Sequence, residues 1–264
     1  MASPPVSFCP SPPQRGTVYL VGAGPGDPGL LTVRASELLA GASVVYHDYL
    51  VSDGVLARCG RQARLVNVGK VGHGPQTAQA TIERQLVASA RAGHAVVRLK
   101  GGDPLLFGRG AEEAIALEAA GIPFEIVPGV SSALAAPAYA GIPVTARGYA
   151  ASVAIVTGHS TVGTPAPIPA ADTIVVLMGV ANAAAIRDQL VAAGHSPETP
   201  AAVIERGTCE TQRVITGNLA TLPDLIARER LVAPSIIVIG DVVRLRERLD
   251  WRAKAARPLA TSRQ

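Results

Sequence analysis

The stretch VGAGPGDPGLLT, Val21–Thr32, places four glycines and two prolines between an apolar run and a helix-like pattern. The preceding run, TVYLVG, has the composition of a β-strand, and the apolar residues from Leu31 to Ala42 recur at helical spacing. In an open α/β sheet, the turns at the carboxyl ends of strands line the ligand crevice. The stretch therefore predicts an α/β fold with a ligand site at this turn.

The same turn fits the dinucleotide fingerprint GxGxxG at Gly24–Gly29, and Asp48 follows about 20 residues later. A pyrophosphate, however, needs backbone N–H donors at a helix N-terminus. Pro25 and Pro28 remove two donors, and Asp27 adds a carboxylate to the turn. The turn thus favours a ligand without phosphates over NAD. A tight turn that only connects strand and helix is the alternative for this motif taken alone.

A second turn of similar composition, LKGGDPLLFGRG at Leu99–Gly110, also ends a predicted strand and precedes a helix. Two such turns at strand ends favour a shared crevice over coincidence. A third segment, VPGVSSALAAPAYAGIP, starts at another strand end. One of Ser131 and Ser132 is expected to cap the following helix, and the other can face the crevice.

Strands and helices alternate before Pro128, which predicts parallel strands. In the second half AAVIER and QRVITG are separated by too few residues for a helix, which predicts an antiparallel hairpin in a mixed sheet. We expect a disordered leader at 1–15, an N-terminal α/β domain at 16–130, a C-terminal α/β domain at 131–251 and a tail at 252–264. A cleft is expected between the two domains.

Composition excludes several classes of protein. The chain has 264 residues and a formal charge of +4, too mild to indicate nucleic-acid binding. Its three cysteines, Cys9, Cys59 and Cys209, have no disulfide or zinc spacing, so we expect a reducing cytoplasm and no metal. The uncharged stretch 126–146 is long enough to span a bilayer, but its three prolines favour a strand, a loop and a short helix of a soluble core.

Several stretches together resemble the tetrapyrrole methylase family, and in particular its uroporphyrinogen-methylating branch. They are VYLVGAGPGDPGLLT, VVYHDYLVS, VVRLKGGDPLLFGRGAEEA, GIPFEIVPGVSSALAAPAYAGIPVT, AVIERGTCETQRVITGNL and PSIIVIGDVVRLRERLDW. The resemblance covers about Gly16 to Trp251. It implies two α/β domains with the donor in their cleft, a homodimer, and S-adenosylmethionine as methyl donor in place of NAD.

The resemblance also implies roles for individual residues. Asp48 matches the family's proposed proton acceptor and Lys70 its proposed proton donor, although a salt bridge or solvated charges would explain the pair without the resemblance. Met178 matches a donor contact, whereas a methionine after an apolar strand is more often packed in a core. The full set of implied donor-binding residues is Pro25, Gly101, Gly102, Asp103, Leu106, Ser131, Ser132, Met178 and Gly207.

The implied reaction is methylation of uroporphyrinogen III at C2 and C7 to give precorrin-2. Because this substrate carries eight carboxylates, arginines are expected to bind it, with Arg109, Arg147 and Arg213 as candidates and a surface role as the alternative for each. The rival functions are a methylase of a later corrin intermediate, an NAD-binding oxidoreductase and a non-catalytic ligand-binding module.

Overall fold

The computed structural model describes residues 11–69, 78–159 and 167–255. The chain divides into two units, Met1–Ser131 and Ser132–Gln264. Both units are α/β, as the sequence predicts, and each contains its own β-sheet.

The first unit has a five-stranded sheet of order β3-β2-β4-β1-β5 among its described residues. Each neighbouring pair is parallel, which confirms the prediction for this half. Its elements are β1 Val18–Gly22, α1 Val33–Gly41, β2 Val44–His47, α2 Asp53–Leu56, β3 Arg64–Asn67, α3 Gln79–Arg91, β4 Val96–Lys100, α4 Gly110–Ala119 and β5 Phe124–Val127.

Successive side chains of a strand point to opposite faces of the sheet, and both faces of this sheet are apolar along β1. Tyr19 and Val21 of β1 pack with α1 on one face, whereas Val18 and Leu20 pack with α3 and α4 on the other. Because helices cover both faces of β1, this strand is continuously apolar and fully buried, as buried parallel strands usually are. α4 is closed by Gly121, whose φ of +68° is a conformation that glycine adopts without strain.

The second unit has a mixed sheet of order β6-β7-β10-β8-β9. β6 and β7 are parallel, β10 is antiparallel to both β7 and β8, and β8 and β9 form the predicted antiparallel hairpin. Its elements are α5 Ser132–Tyr139, β6 Val153–Thr157, β7 Thr173–Leu177, α6 Ala183–Ala192, β8 Pro200–Glu205, β9 Arg213–Asn218, α7 Leu222–Arg228, β10 Ser235–Ile239, α8 Arg246–Leu249 and α9 Trp251–Ala255.

The described residues of the expected leader and tail make contacts with folded elements. The backbone of Gln14 donates to the Tyr19 hydroxyl at 2.8 Å, and Arg34 donates to the Ser11 carbonyl at 2.8 Å, so residues 11–15 contact the first unit. The expected tail begins inside α9, where the Arg252 guanidinium lies over the Tyr139 ring. Local composition did not show these contacts, because their partners are remote or lie within folded elements.

The apolar stretch 126–146 contains the end of β5 and the eight-residue helix α5, as expected for a strand and a short helix. Among the described residues, no helix combines the length and the apolar character needed to cross a membrane.

Candidate active site

Three loops meet at the carboxyl edge of the first sheet. Gly24, after β1, and Gly102, after β4, form a two-way backbone bridge: the Gly24 N–H donates to the Gly102 carbonyl at 3.2 Å, and the Gly102 N–H donates to the Gly24 carbonyl at 2.8 Å. The segment after β5 joins them at Gly129. The two turns with Gly, Pro and Asp are therefore in direct contact.

Glycine is required where these loops approach each other. A Cβ on Gly22 would lie 2.5 Å from the Cα of Gly129 and 2.6 Å from the carbonyl oxygen of Gly102. A Cβ on Gly129 would lie 2.3 Å from the same oxygen. Because all of these neighbours are backbone atoms, any side chain at either position would push the loops apart.

Asp103 connects two of the loops through its carboxylate. Its Oδ1 accepts from the Leu105 N–H at 2.8 Å within its own loop, and its Oδ2 accepts from the Gly129 N–H at 3.1 Å across the site. Asp103 thus holds the third loop against the second. The sequence prediction did not include this contact between loops; it gave Asp103 only a contact with the methyl donor, S-adenosylmethionine.

The first loop has few backbone donors to offer a phosphate. Pro25 and Pro28 have no N–H, and the Gly29 N–H is bound by Asp27 Oδ1 at 2.7 Å. The Gly24 N–H is used in the bridge to Gly102. This geometry agrees with the sequence argument against a diphosphate at the turn.

Asp48 lies beside the second loop, immediately after β2. Arg98 donates from Nη2 to Asp48 Oδ1 at 2.5 Å, and the Gly101 N–H approaches Asp48 Oδ2 at 3.4 Å. The Asp48 side chain is one-third exposed, so it is accessible to a ligand. Lys70, the expected partner of Asp48, lies outside the described residues.

Behind Asp48 lies a buried charge cluster that sequence reasoning missed. Glu113 of α4 accepts from Arg98 Nε and from Lys100 Nζ, each at 3.0 Å. Burial lowers the pKa of Lys100, and the nearby Arg98 guanidinium lowers it further. The available signal was the pair Arg98 and Lys100, which places two charges on one face of an apolar strand.

In the second unit, Met178 and Gly207 follow strands that run in the same direction. β7 and β8 are each antiparallel to β10, so both strands end at the same edge of their sheet. Met178 has a φ of +57° and is half exposed, which argues against the core-packing alternative. A Cβ on Gly207 would lie 2.4 Å from the Ala136 Cβ, so the loop after β8 packs closely on α5.

A family profile decides how this arrangement is classified. The sequence matches the profile of the Tetrapyrrole (Corrin/Porphyrin) Methylases over residues 17–223, most of the chain. The chain belongs to the tetrapyrrole methylases. This confirms the resemblance and the fold class that the sequence motifs indicated.

Curated relatives of this tetrapyrrole methylase include a siroheme synthase from Pseudomonas fluorescens (strain Pf0-1), which is 51% identical over 241 residues. The alignment covers 89% of this chain and 52% of that protein. Siroheme synthase 2 from Aeromonas hydrophila is 50% identical, with 89% and 51% covered. The chain therefore spans about half the length of the curated relatives that it matches.

Two solved structures match the tetrapyrrole methylase over nearly the whole of their own length. A uroporphyrin-III-C-methyltransferase from Thermus thermophilus is 45% identical with a TM-score of 0.78, covering 89% of this chain and 99% of that one. A Thermus thermophilus uroporphyrin-III C-methyltransferase complexed with S-adenosyl homocysteine is 40% identical, with a TM-score of 0.75 and coverage of 87% and 99%. The expected S-adenosylmethionine donor agrees with that complex.

The three arginines proposed for substrate binding have different surroundings. Arg109 pairs with Glu112 at 2.5 Å on the surface, and that contact raises the pKa of Arg109. Arg213 donates to the buried Glu205 at 3.1 Å, whereas Arg147 is exposed. Within the described ranges, no group of three or more His, Cys, Asp or Glu side chains is placed to bind a metal ion.

Proposed function

We propose that this chain transfers methyl groups from S-adenosylmethionine to C2 and C7 of uroporphyrinogen III, giving precorrin-2. The observation that carries the proposal is the partly exposed Asp48 beside the Gly24–Gly102 bridge, at the carboxyl edge of a parallel sheet. The 45% identity to the Thermus thermophilus enzyme over 99% of its length supports this substrate.

The residues of the three joined loops suit the proposed donor better than they suit a dinucleotide. The loops present proline rings, backbone carbonyls and the Asp103 carboxylate, and these groups favour an uncharged or cationic ligand over an anion. A bound sulfonium supplies the methyl group as an electrophile. The residues proposed to hold it are Pro25, Gly101, Gly102, Asp103, Leu106, Ser131, Ser132, Met178 and Gly207.

Asp48 is the proposed proton acceptor. After methylation, the substrate ring carries a positive charge and must lose a proton, and the nearby Asp48 carboxylate can accept that proton or stabilise the positive charge. Its position is defined by Arg98 on one oxygen and by the Gly101 N–H near the other. Lys70 is the proposed proton donor.

The substrate carboxylates are proposed to bind arginine guanidinium groups. Arg147 is exposed, whereas Arg109 is already ion-paired with Glu112 and Arg213 with Glu205. We therefore rank Arg147 first. An ionic contact predicts that the KM for uroporphyrinogen III rises with added salt, and a KM unchanged by salt would contradict it.

The deciding experiment uses the purified chain, uroporphyrinogen III and methyl-labelled S-adenosylmethionine. We expect two labelled methyl groups per product, counted by mass spectrometry, and the absorption of a dipyrrocorphin after both transfers. A structure of a cobalt precorrin-4 methyltransferase, 26% identical with a TM-score of 0.76, makes a later corrin intermediate the rival substrate. Transfer to such an intermediate but not to uroporphyrinogen III would overturn the proposal.

Two further parts of the proposal need separate measurements. Equilibrium binding should show affinity for S-adenosylhomocysteine and none for NAD; the reverse result would indicate an oxidoreductase. Sedimentation equilibrium should give the mass of a homodimer, the state that the resemblance implies. A monomer at all concentrations would contradict the homodimer without affecting the assigned chemistry.

A further inference from the structure

A chain of four charged side chains runs inward from the proposed proton acceptor. Asp48 binds Arg98, Arg98 binds Glu113, and Glu113 binds Lys100, with donor–acceptor distances of 2.5, 3.0 and 3.0 Å. Two of the four side chains are cationic and two are anionic. Only Asp48, the outermost member, has a role in the proposed reaction.

Glu113 lies between Arg98 and Lys100 in this cluster and is completely buried. Three donors converge on its Oε1: Arg98 Nε, Lys100 Nζ and, at 3.2 Å, Gln79 Nε2. In the part of the chain that the structure describes, Oε2 makes no hydrogen bond. A side chain with no exposed surface cannot touch a substrate, so any effect of Glu113 on the reaction must pass through its neighbours.

Arg98 is the neighbour that reaches the site. Its Nε donates to Glu113, its Nη1 donates to the Leu99 carbonyl at 3.1 Å, and its Nη2 donates to Asp48. Because the guanidinium is planar and rigid, fixing Nε also fixes the direction in which Nη2 points. The orientation of Arg98, and with it the bond to Asp48, therefore depends on Glu113.

We propose that Glu113 is a positioning residue for the methyl-transfer reaction: it holds the Arg98 guanidinium, which holds the Asp48 carboxylate ready to accept the ring proton. Apolar residues would serve the stability of this sheet face equally well, because buried ion pairs are often neutral or unfavourable compared with good apolar packing. The inference rests on the proposed function, in which Asp48 is the proton acceptor.

The competing explanation is that Glu113 only neutralises Lys100. Lys100 is buried, and its Cε would lie 3.4 Å from a Cβ on Gly108, so its stem packs under the second loop. A buried ammonium needs an anionic partner regardless of the reaction. The two explanations predict different behaviour when Lys100 and Glu113 are replaced together.

The first test is a double-mutant cycle with Glu113→Gln and Asp48→Asn. We expect E113Q to lower kcat by about 10- to 100-fold, the scale of a misplaced catalytic group, with little change in either KM. In the D48N background, E113Q should change kcat by less than about 2-fold, because no acceptor is left to position. An equal loss in both backgrounds would overturn the inference.

The second test is the double variant K100M/E113Q, which removes one charge of each sign. It leaves no unpaired Lys100 ammonium, so it can fold even if E113Q alone does not. We expect kcat to stay low, because Arg98 still lacks its anchor. Recovery of wild-type kcat would show that Glu113 serves only to neutralise Lys100. The matched control is Glu125→Gln, which breaks the Arg34–Glu125 ion pair in the same unit and should leave kcat unchanged.

A substrate-free measurement separates failure of the inference from failure of the proposed function. If the wild type does not methylate uroporphyrinogen III, the proposed function fails, whatever the variants do. Crystal structures of the wild type and E113Q then still test the positioning. We expect the Arg98 and Asp48 side chains to shift relative to Gly101 in E113Q. Unmoved side chains would refute the positioning role.

Discussion

Replacing Gly129 by alanine tests whether the close approach of three loops shapes the candidate site. A Cβ at Gly129 would lie 2.3 Å from the Gly102 carbonyl oxygen and 2.7 Å from the Gly22 Cα. Both are backbone atoms, so no side chain can rotate away to make room. The loops must separate by about 0.7 Å before the nearest contact reaches 3.0 Å, a spacing that is still tight.

We expect Gly129→Ala to lower the free energy of unfolding by about 1–3 kcal/mol, the usual cost of overpacking. A displacement of this size should also weaken S-adenosylhomocysteine binding by about 10-fold, because Gly102 is among the residues proposed to hold the donor and about 1.4 kcal/mol of strain in the bound state is tenfold in affinity. Urea unfolding measures the first effect, and isothermal titration calorimetry measures the second.

Gly121→Ala is the matched control. Gly121 has a φ of +68° and no atom within 4 Å of a Cβ, so alanine there adds backbone strain of about 1–2 kcal/mol without crowding any loop. Both variants should lose stability, but only G129A should lose affinity for S-adenosylhomocysteine. Wild-type affinity in G129A would refute the idea that loop contact shapes the donor site.

Three further predictions concern single side chains. Asp48→Asn should keep S-adenosylhomocysteine affinity but lower kcat by about 100-fold or more, and unchanged turnover would remove Asp48 from the mechanism. Arg213→Met should lower the free energy of unfolding by about 1–3 kcal/mol, because the buried Glu205 loses its partly exposed cation; a raised KM with unchanged stability would instead indicate substrate binding. Hydrogen bonds from the backbone of Ala151, and then from Ser152, hold the pKa of Asp172 below its usual 3.8. A depressed carboxyl pKa stabilises the fold above the unfolded value and loses that effect as the pH falls through the folded value. Asp172→Asn should therefore be less stable than wild type at neutral pH, and the difference in urea unfolding should shrink below about pH 3.8; a constant difference would contradict this.

Most secondary structure of the first unit could be predicted from local sequence. Apolar periodicity and turn residues indicated the β1–α1 unit, because these signals act within a few residues. The same holds for the hairpin of β8 and β9, whose connector is too short for a crossover helix. The contacts of residues 11–15 could not be predicted. Local sequence does not show that the Gln14 N–H will bind the Tyr19 hydroxyl or that Arg34 will bind the Ser11 carbonyl.

The sequence by itself determined an α/β chain with parallel strands in its first half, and its motifs indicated which turns belong to a tetrapyrrole methylase. Only the tertiary structure showed the contact of Gly22, Gly102 and Gly129. It also showed the charge cluster in which Arg98 binds both Asp48 and Glu113. Asp48 and Arg98 are 50 residues apart in the chain, so no local pattern encodes their bond. Strand order in the sheet decides which side chains meet, and that order is a property of the folded chain.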